Sequence, residues 1–183
     1  EESFALGQPL LNHTEQVLST AFHPSKPILA TAGGLENAEG NDAVIRLWDT
    51  TTKDVLKTLD GHSQFVSALT FNPSEPSQLA SASHDRRVII WNIDEGEVIG
   101  TIEIDNSLDA LAYSPNGQII ALGSNDNKVY LWSVAGTPDE WHQIGVLEGH
   151  TQRILSLAFR PDGNMIASTS RDGTIRLWDV NTQ

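Results

Sequence analysis

Four tryptophans recur at a near-constant interval, each closing a short apolar segment: VIRLWD at 44–49, VIIWN at 88–92, VYLWS at 129–133 and TIRLWD at 174–179. The steps from Trp48 to Trp91, Trp132 and Trp178 are 43, 41 and 46 residues. Self-similarity at this period means one supersecondary unit per repeat, too small to bury its apolar face alone. Consecutive units must therefore pack on one another, and the whole chain is bound to a repetitive architecture.

Each unit reads as four strands. The first alternates apolar and polar residues and runs into an aromatic and a proline turn: VLSTAFHP, VSALTFNP, LDALAYSPNG and ILSLAFRPDG. Pro24, Pro73, Pro115 and Pro161 preset φ and lack an N–H, while Asn116-Gly117 and Asp162-Gly163 tolerate positive φ, so the chain reverses there. The second strands, ILATAG, QLASAS, IIALGS and MIASTS, alternate small and apolar residues, which suits a sheet face that another sheet approaches closely. The tryptophan strand comes third. A polar fourth strand follows in KDVLKTL, EVIGTIEI and QIGVLE. Helical periodicity is absent, so the expected class is all-β.

Gly61-His62 and Gly149-His150, each leading to one of these tryptophans, together with Trp48-Asp49 and Trp178-Asp179, resemble the Gly-His and Trp-Asp signatures of the WD40 repeat family. The resemblance spans nearly the whole chain. It implies a β-propeller in which this chain supplies four blades of four antiparallel strands. The expected division is a closing strand at 1–12, then repeats at 13–60, 61–103, 104–148 and 149–183, the last without its own fourth strand. It also implies a hydrogen-bonded tetrad in each regular repeat: His62, Ser81, Asp85 and Trp91, then His150, Ser168, Asp172 and Trp178. The first repeat fits with His13, Thr31, Asp42 and Trp48 once seven extra residues are allowed in its second turn. The physical need stands without the resemblance, because a buried indole N–H requires an acceptor, and a hydroxyl oriented by an imidazole and a carboxylate is one. The third repeat departs: Ile104 and Leu122 replace His and Ser/Thr, leaving Asp126 and Trp132, and this blade is expected to rely on apolar packing.

The segment FALGQPLLN at 4–12 reads as a fourth strand preceding His13, and the fourth repeat stops at its third strand. In closed WD40 propellers the first strand completes the last blade. Two copies joined head to tail would make an eight-bladed ring, a heterologous interface that closes because it is cyclic. The alternative is a piece of a longer propeller, and the start at Glu1-Glu2-Ser3 without a methionine agrees with a piece of a larger protein.

Composition narrows the function. A formal net charge of −13 opposes sequence-independent binding to nucleic acid or anionic membranes. No segment approaches the length of a membrane span. With no cysteine there is neither a disulfide nor a thiolate metal site, and a cytoplasmic location is expected. The six histidines (13, 23, 62, 84, 142, 150) show no metal-ligand spacing. Neither metal nor cofactor is implied. Ser, His and Asp recur together, but three times and always with Trp, and no G-x-S-x-G occurs, so a structural network explains them better than a hydrolase triad. The insertion GGLENAEGN at 33–41 lacks the regular alternation of a calcium loop and reads as an acidic surface loop. Asn12-His13-Thr14 matches a glycosylation sequon, but His13 belongs to a tetrad. Trp141 either covers a blade edge or meets a partner.

The remaining function is binding a protein or peptide on a rim of loops, a non-catalytic scaffold, with a purely architectural or oligomerising role as the rival. By the family pattern the exposed rim positions lie one and three residues after the His position and just before the turn Asp. They are Thr14, Gln16 and Asn41; Ser63, Phe65 and His84; Asp105, Ser107 and Asn125; Thr151, Arg153 and Arg171. Phe65 is either an exposed aromatic anchor of the sort that dominates interface energies or a partly buried packing residue. Arg153 and Arg171 should be neighbours, forming either a basic spot that holds a carboxylate or phosphate or a solvated pair.

Overall fold

The computed structural model describes residues 9–35 and 42–182. Its elements follow the expected phase. The first sheet holds β1 (Val17–Phe22), β2 (Ile28–Gly33), β3 (Ile45–Asp49) and β4 (Val55–Leu59). The second holds β5 (Val66–Phe71), β6 (Gln78–Ser83), β7 (Arg87–Asn92) and β8 (Glu97–Glu103). The third holds β9 (Leu108–Tyr113), β10 (Ile119–Ser124), β11 (Val129–Ser133) and β12 (His142–Leu147), with a single 3-10 turn at Pro138–Glu140. The fourth is three-stranded: β13 (Ile154–Phe159), β14 (Met165–Ser170) and β15 (Ile175–Asp179). Every described pairing is antiparallel between sequence neighbours, so each repeat is one meander.

The sheets stack face to face with one core between each consecutive pair. Ala30, Ala32, Ile45 and Leu47 of the first sheet meet Leu69, Phe71, Leu79 and Trp91 of the second. The same pattern joins sheets two and three, then three and four. The first strands β1, β5, β9 and β13 lie against one another, and each second strand touches the first strand of the next sheet. The blades thus fan outward from converging inner strands. Small residues permit this closeness: a Cβ on Gly123 of β10 would sit 2.7 Å from Ile154 Cγ2 and 2.9 Å from the Ala110 Cβ.

Repeat-equivalent positions expose where the stack stops. Val88, Val129, Ile90 and Leu131 are buried to within 1% of complete, whereas their counterparts Ile175 and Leu177 in β15 are 72% and 67% exposed. At the other end Phe22 of β1 is 73% exposed, while its counterparts Phe71 and Tyr113 are 6% and 7%. Each end blade therefore presents an apolar face that, in the interior blades, a neighbour covers. The expected closing strand at 1–12 falls largely outside the described residues, and its described part, 9–12, forms no strand.

Trp141 follows the 3-10 turn and lies across Gly100 of β8, where an added Cβ would be 2.5 Å from the indole. It covers the outer strand of the preceding blade. Among the described residues no helix is long and apolar enough to cross a membrane.

Candidate functional site: a hollow between the inner strands

The three regular tetrads are brought together in space. In the second blade the Trp91 indole N–H donates to Ser81 Oγ at 2.8 Å, Ser81 meets His62 Nε2 at 2.7 Å, and His62 Nδ1 lies 2.9 Å from Asp85 Oδ2. The indole can only donate, so with Nδ1–H directed at the carboxylate, Nε2 accepts the hydroxyl proton and every polar atom in the chain is used. The first blade repeats this through Trp48, Thr31, His13 and Asp42 at 2.8, 2.6 and 3.0 Å. The fourth does so through Trp178, Ser168, His150 and Asp172 at 2.8, 2.8 and 2.8 Å. The glycine before the histidine has a steric reason: a Cβ on Gly61 would lie 2.9 Å from the Trp91 ring.

Each tetrad carboxylate also accepts the backbone N–H of the residue after the histidine: Thr14 to Asp42 at 3.1 Å, Ser63 to Asp85 at 3.0 Å, Thr151 to Asp172 at 3.0 Å. The tetrad therefore ties the loop before each inner strand to the turn after the second. Burial pushes the Asp85 carboxyl upward, but His62, the Ser63 N–H and Arg87 outweigh it and hold it far below the ordinary carboxylate range. The Thr174 hydroxyl leads the same effect at Asp172. His13 is shifted below its ordinary 6.5, chiefly by burial, with Arg46 adding to it and Asp42 opposing. The Ser81 and Ser168 hydroxyls belong to residues with no exposed surface, and each meets both the indole and the imidazole of its tetrad.

The third blade builds a different network. Asp126 accepts from the Tyr130 hydroxyl at 2.6 Å and from Asn106 Nδ2 at 3.1 Å. Burial, then this bond, push the tyrosine up to about 12. Among the described residues the buried Trp132 Nε1 has no hydrogen-bond partner, in keeping with Leu122 standing in place of a hydroxyl.

Above the converging inner strands lies a hollow of about 520 Å³ touched by all four sheets. Its wall follows the repeat: Leu18, Ser67, Asp109 and Leu155 are the second residues of β1, β5, β9 and β13, and all four line it. Gln16, Phe65 and Arg153, two residues earlier, form a second tier with His84, Gly34 and Leu35 from the turns after the second strands. Four rim candidates, Gln16, Phe65, His84 and Arg153, therefore meet at one place. Ser107, Asn125 and Arg171 do not line it. Ser107 Oγ donates to the His84 carbonyl at 3.3 Å, and the exposed Asn125 donates its N–H to the Ser107 carbonyl at 3.0 Å. Asn41 lies outside the described residues.

At two positions the structure separates the alternatives left open by the sequence. Phe65 is only 9% exposed and stacks on the His84 imidazole with ring centres 3.9 Å apart, so it is a packing residue of the hollow's wall and not a projecting anchor. The aromatic face is better covered by the half-buried imidazole of its own blade than left in water. Arg153 and Arg171 are neighbours through an Arg171 N–H to Arg153 carbonyl bond of 3.0 Å, but the Arg153 guanidinium turns inward, 3.7 Å from Asp109 Oδ2. The basic spot is thereby partly neutralised.

Asp109 is the residue sequence reasoning missed. His84 Nε2 lies 2.8 Å from its Oδ1, its side chain is 13% exposed, and it is the one charged residue at the wall position that the other repeats fill with Leu18, Ser67 and Leu155. The signal was present as the acid in LDALAY, where the aligned first strands carry Leu or Ser.

Among the described residues no cluster of three or more His, Cys, Asp or Glu side chains is arranged to hold a metal ion. The profile of the WD domain, G-beta repeat, matches residues 6–49, 53–92, 96–133 and 141–179. The chain is 34% identical over 119 residues to the Protein transport protein sec13 of Emericella nidulans, which covers 60% of this chain and 38% of that protein. It is 29% identical over 150 residues to the WD repeat-containing protein srw1 of Schizosaccharomyces pombe, 80% of this chain and 25% of that one. To the Nuclear distribution protein PAC1 of Komagataella phaffii it is 31% identical over 117 residues, 61% and 22%. The matched segments thus span well under half the length of these relatives. With four profile matches over most of its length and a propeller-type stack of four-stranded repeats, this chain belongs to the WD40 repeat family.

Proposed function

We propose that the chain is a non-catalytic protein-interaction scaffold whose binding surface is the rim around the hollow, with the repeats at 13–60, 61–103, 104–148 and 149–183 as its structural units. The observation that carries this reading is the convergence of equivalent positions from all four repeats on one concave site, held by tetrads that fix the loops around it. Variable side chains on a rigid base are what recognition needs. The roles that the relatives' names give them, protein transport and nuclear distribution, differ, which fits a common scaffold whose partner is set by its rim. The binding residues proposed are Gln16, Asn41, His84, Ser107, Asn125 and Arg171, with Phe65 acting through His84 and Arg153 controlling access to the hollow. The test compares proteins captured by the wild-type chain with those captured by a Gln16→Ala, Asn125→Ala, Arg171→Ala rim variant and by an Asn116→Ala, Asp162→Ala variant in the proline turns. Loss confined to the rim variant supports the reading, and equal capture by both variants contradicts it.

A second reading rests on the open faces of the end blades. Ile175 and Leu177 at one end and Phe22 at the other occupy positions that interior blades bury, so each face fits the type of surface the other presents. Two copies joined head to tail would cover both and make an eight-bladed ring, in which this chain is an oligomerising half. A solution mass of twice 19.9 kDa agrees with the ring, and a strict monomer rules it out.

A further inference from the structure

We infer that the hollow receives a cationic side chain, arginine or lysine, from an extended segment of a protein partner, and that Arg153 is an intramolecular plug which this side chain displaces from Asp109. The inference rests on the scaffold reading and names the chemistry of its central contact.

The geometry at Asp109 is incomplete in one specific way. Oδ1 is satisfied by His84 at 2.8 Å, but among the described residues Oδ2 is buried with no hydrogen-bond partner, and Arg153 Nε is likewise without one. The Arg153 Nη1 lies 3.7 Å from Oδ2, close enough for charge pairing and too far for a hydrogen bond. A buried carboxylate oxygen left in this condition is costly, and a charge-assisted N–H bond to it is among the strongest available. Arg153 is itself 43% exposed and can give up this position for water. A partner guanidinium or ammonium that comes within hydrogen-bond distance completes Oδ2, while Leu18 and Leu155 of the same wall take its aliphatic stem. The net charge of −13 favours the approach of a cation over that of an anion. The opposite chemistry, an acidic side chain held by Arg153 and His84, would have to be seated against Asp109.

The test is an NMR titration of the isotope-labelled 183-residue chain with three blocked tripeptides, acetyl-Ala-Xaa-Ala-amide, in which Xaa is Arg, norleucine or Glu. The arginine peptide should shift Gly34, His84 and Asp109 resonances at concentrations on the order of millimolar, as expected for a single-side-chain contact. Norleucine should bind at least tenfold more weakly, and Glu not at all. Asp109→Asn should weaken the arginine peptide at least tenfold, whereas Arg153→Gln, which removes the competing cation, should tighten it several-fold. If Asp109→Asn does not fold, Arg153→Gln decides alone: tightening supports the plug, and unchanged or weaker binding overturns it. Tighter binding of the Glu peptide, indifference to Asp109→Asn, or no shift with any peptide also overturns the inference. The scaffold reading fails separately, through the capture comparison of rim and proline-turn variants, so rim-dependent capture with a silent arginine peptide sinks only this proposal.

Discussion

Trp91 and His62 share one hydroxyl: Ser81 Oγ accepts the indole N–H at 2.8 Å and meets the imidazole at 2.7 Å, so a single oxygen joins the third strand of the second blade to the loop that enters it. Ser81→Ala leaves the buried indole N–H and the imidazole Nε2 without their partner and should destabilise the chain by about 1–3 kcal/mol per orphaned group. Trp132→Phe, in the blade where the indole N–H is already unpartnered, should cost less than Trp91→Phe. Chemical denaturation of the three variants checks the order, and equal losses at Trp91 and Trp132 would contradict the role given to the hydroxyl.

Acidification should act in two stages. The folded pKa of His13 is lowered, so the unfolded chain binds the proton more readily; the stability it contributes is complete above 6.5 and drains as pH falls below that value toward the folded pKa. Asp85 and Asp172 are lowered from 3.8, so their contribution is complete above 3.8 and is lost as pH falls further. Thermal melts from pH 8 to 3 should show a first decline below about 6.5, reduced in His13→Gln but not abolished because burial lowers His23 as well, and a second below about 4. A flat profile from pH 7 to 5 in the wild type is the contrary result.

Leu131 and Leu177 occupy the same repeat position, one fully buried and the other 67% exposed. Leu131→Ser should destabilise by roughly 3 kcal/mol or more, as for truncation and polar substitution in a packed core. Leu177→Ser should leave the stability of a single chain within about 0.5 kcal/mol and lower its tendency to self-associate. Sedimentation and denaturation of both variants read the two effects apart.

Phe65→Ala should behave as a core substitution, since the ring is 9% exposed and stacked on His84. A loss of about 3 kcal/mol is expected, with increased mobility of the His84 imidazole. Unchanged stability with altered binding alone would restore the projecting-anchor reading.

The repeat phase and strand boundaries were legible because each repeat carries its own punctuation, a proline turn after the first strand and a tryptophan in the third. The tetrad positions came from the resemblance to the WD40 family, and their chemistry agrees, because a buried indole N–H needs an acceptor that a hydroxyl held by an imidazole and a carboxylate supplies. The inward turn of Arg153 and the burial of Phe65 were not legible. Both depend on contacts outside the strand itself, Asp109 from the third blade for Arg153 and His84 from the turn after β6 of its own blade for Phe65, and a single strand's alternation carries no information about that. Nor did the first strands' alternation mark which of their residues would meet at the axis until the blades were known to converge there.

The central claim, that binding occurs where the inner strands converge, is tested most directly by hydrogen exchange of the chain with and without a captured protein. Protection concentrated at 14–18, 63–67, 105–109 and 151–155 is the predicted result. Protection confined to the proline turns at 23–27, 72–76, 114–118 and 160–164, with no change at the inner strand entrances, contradicts it.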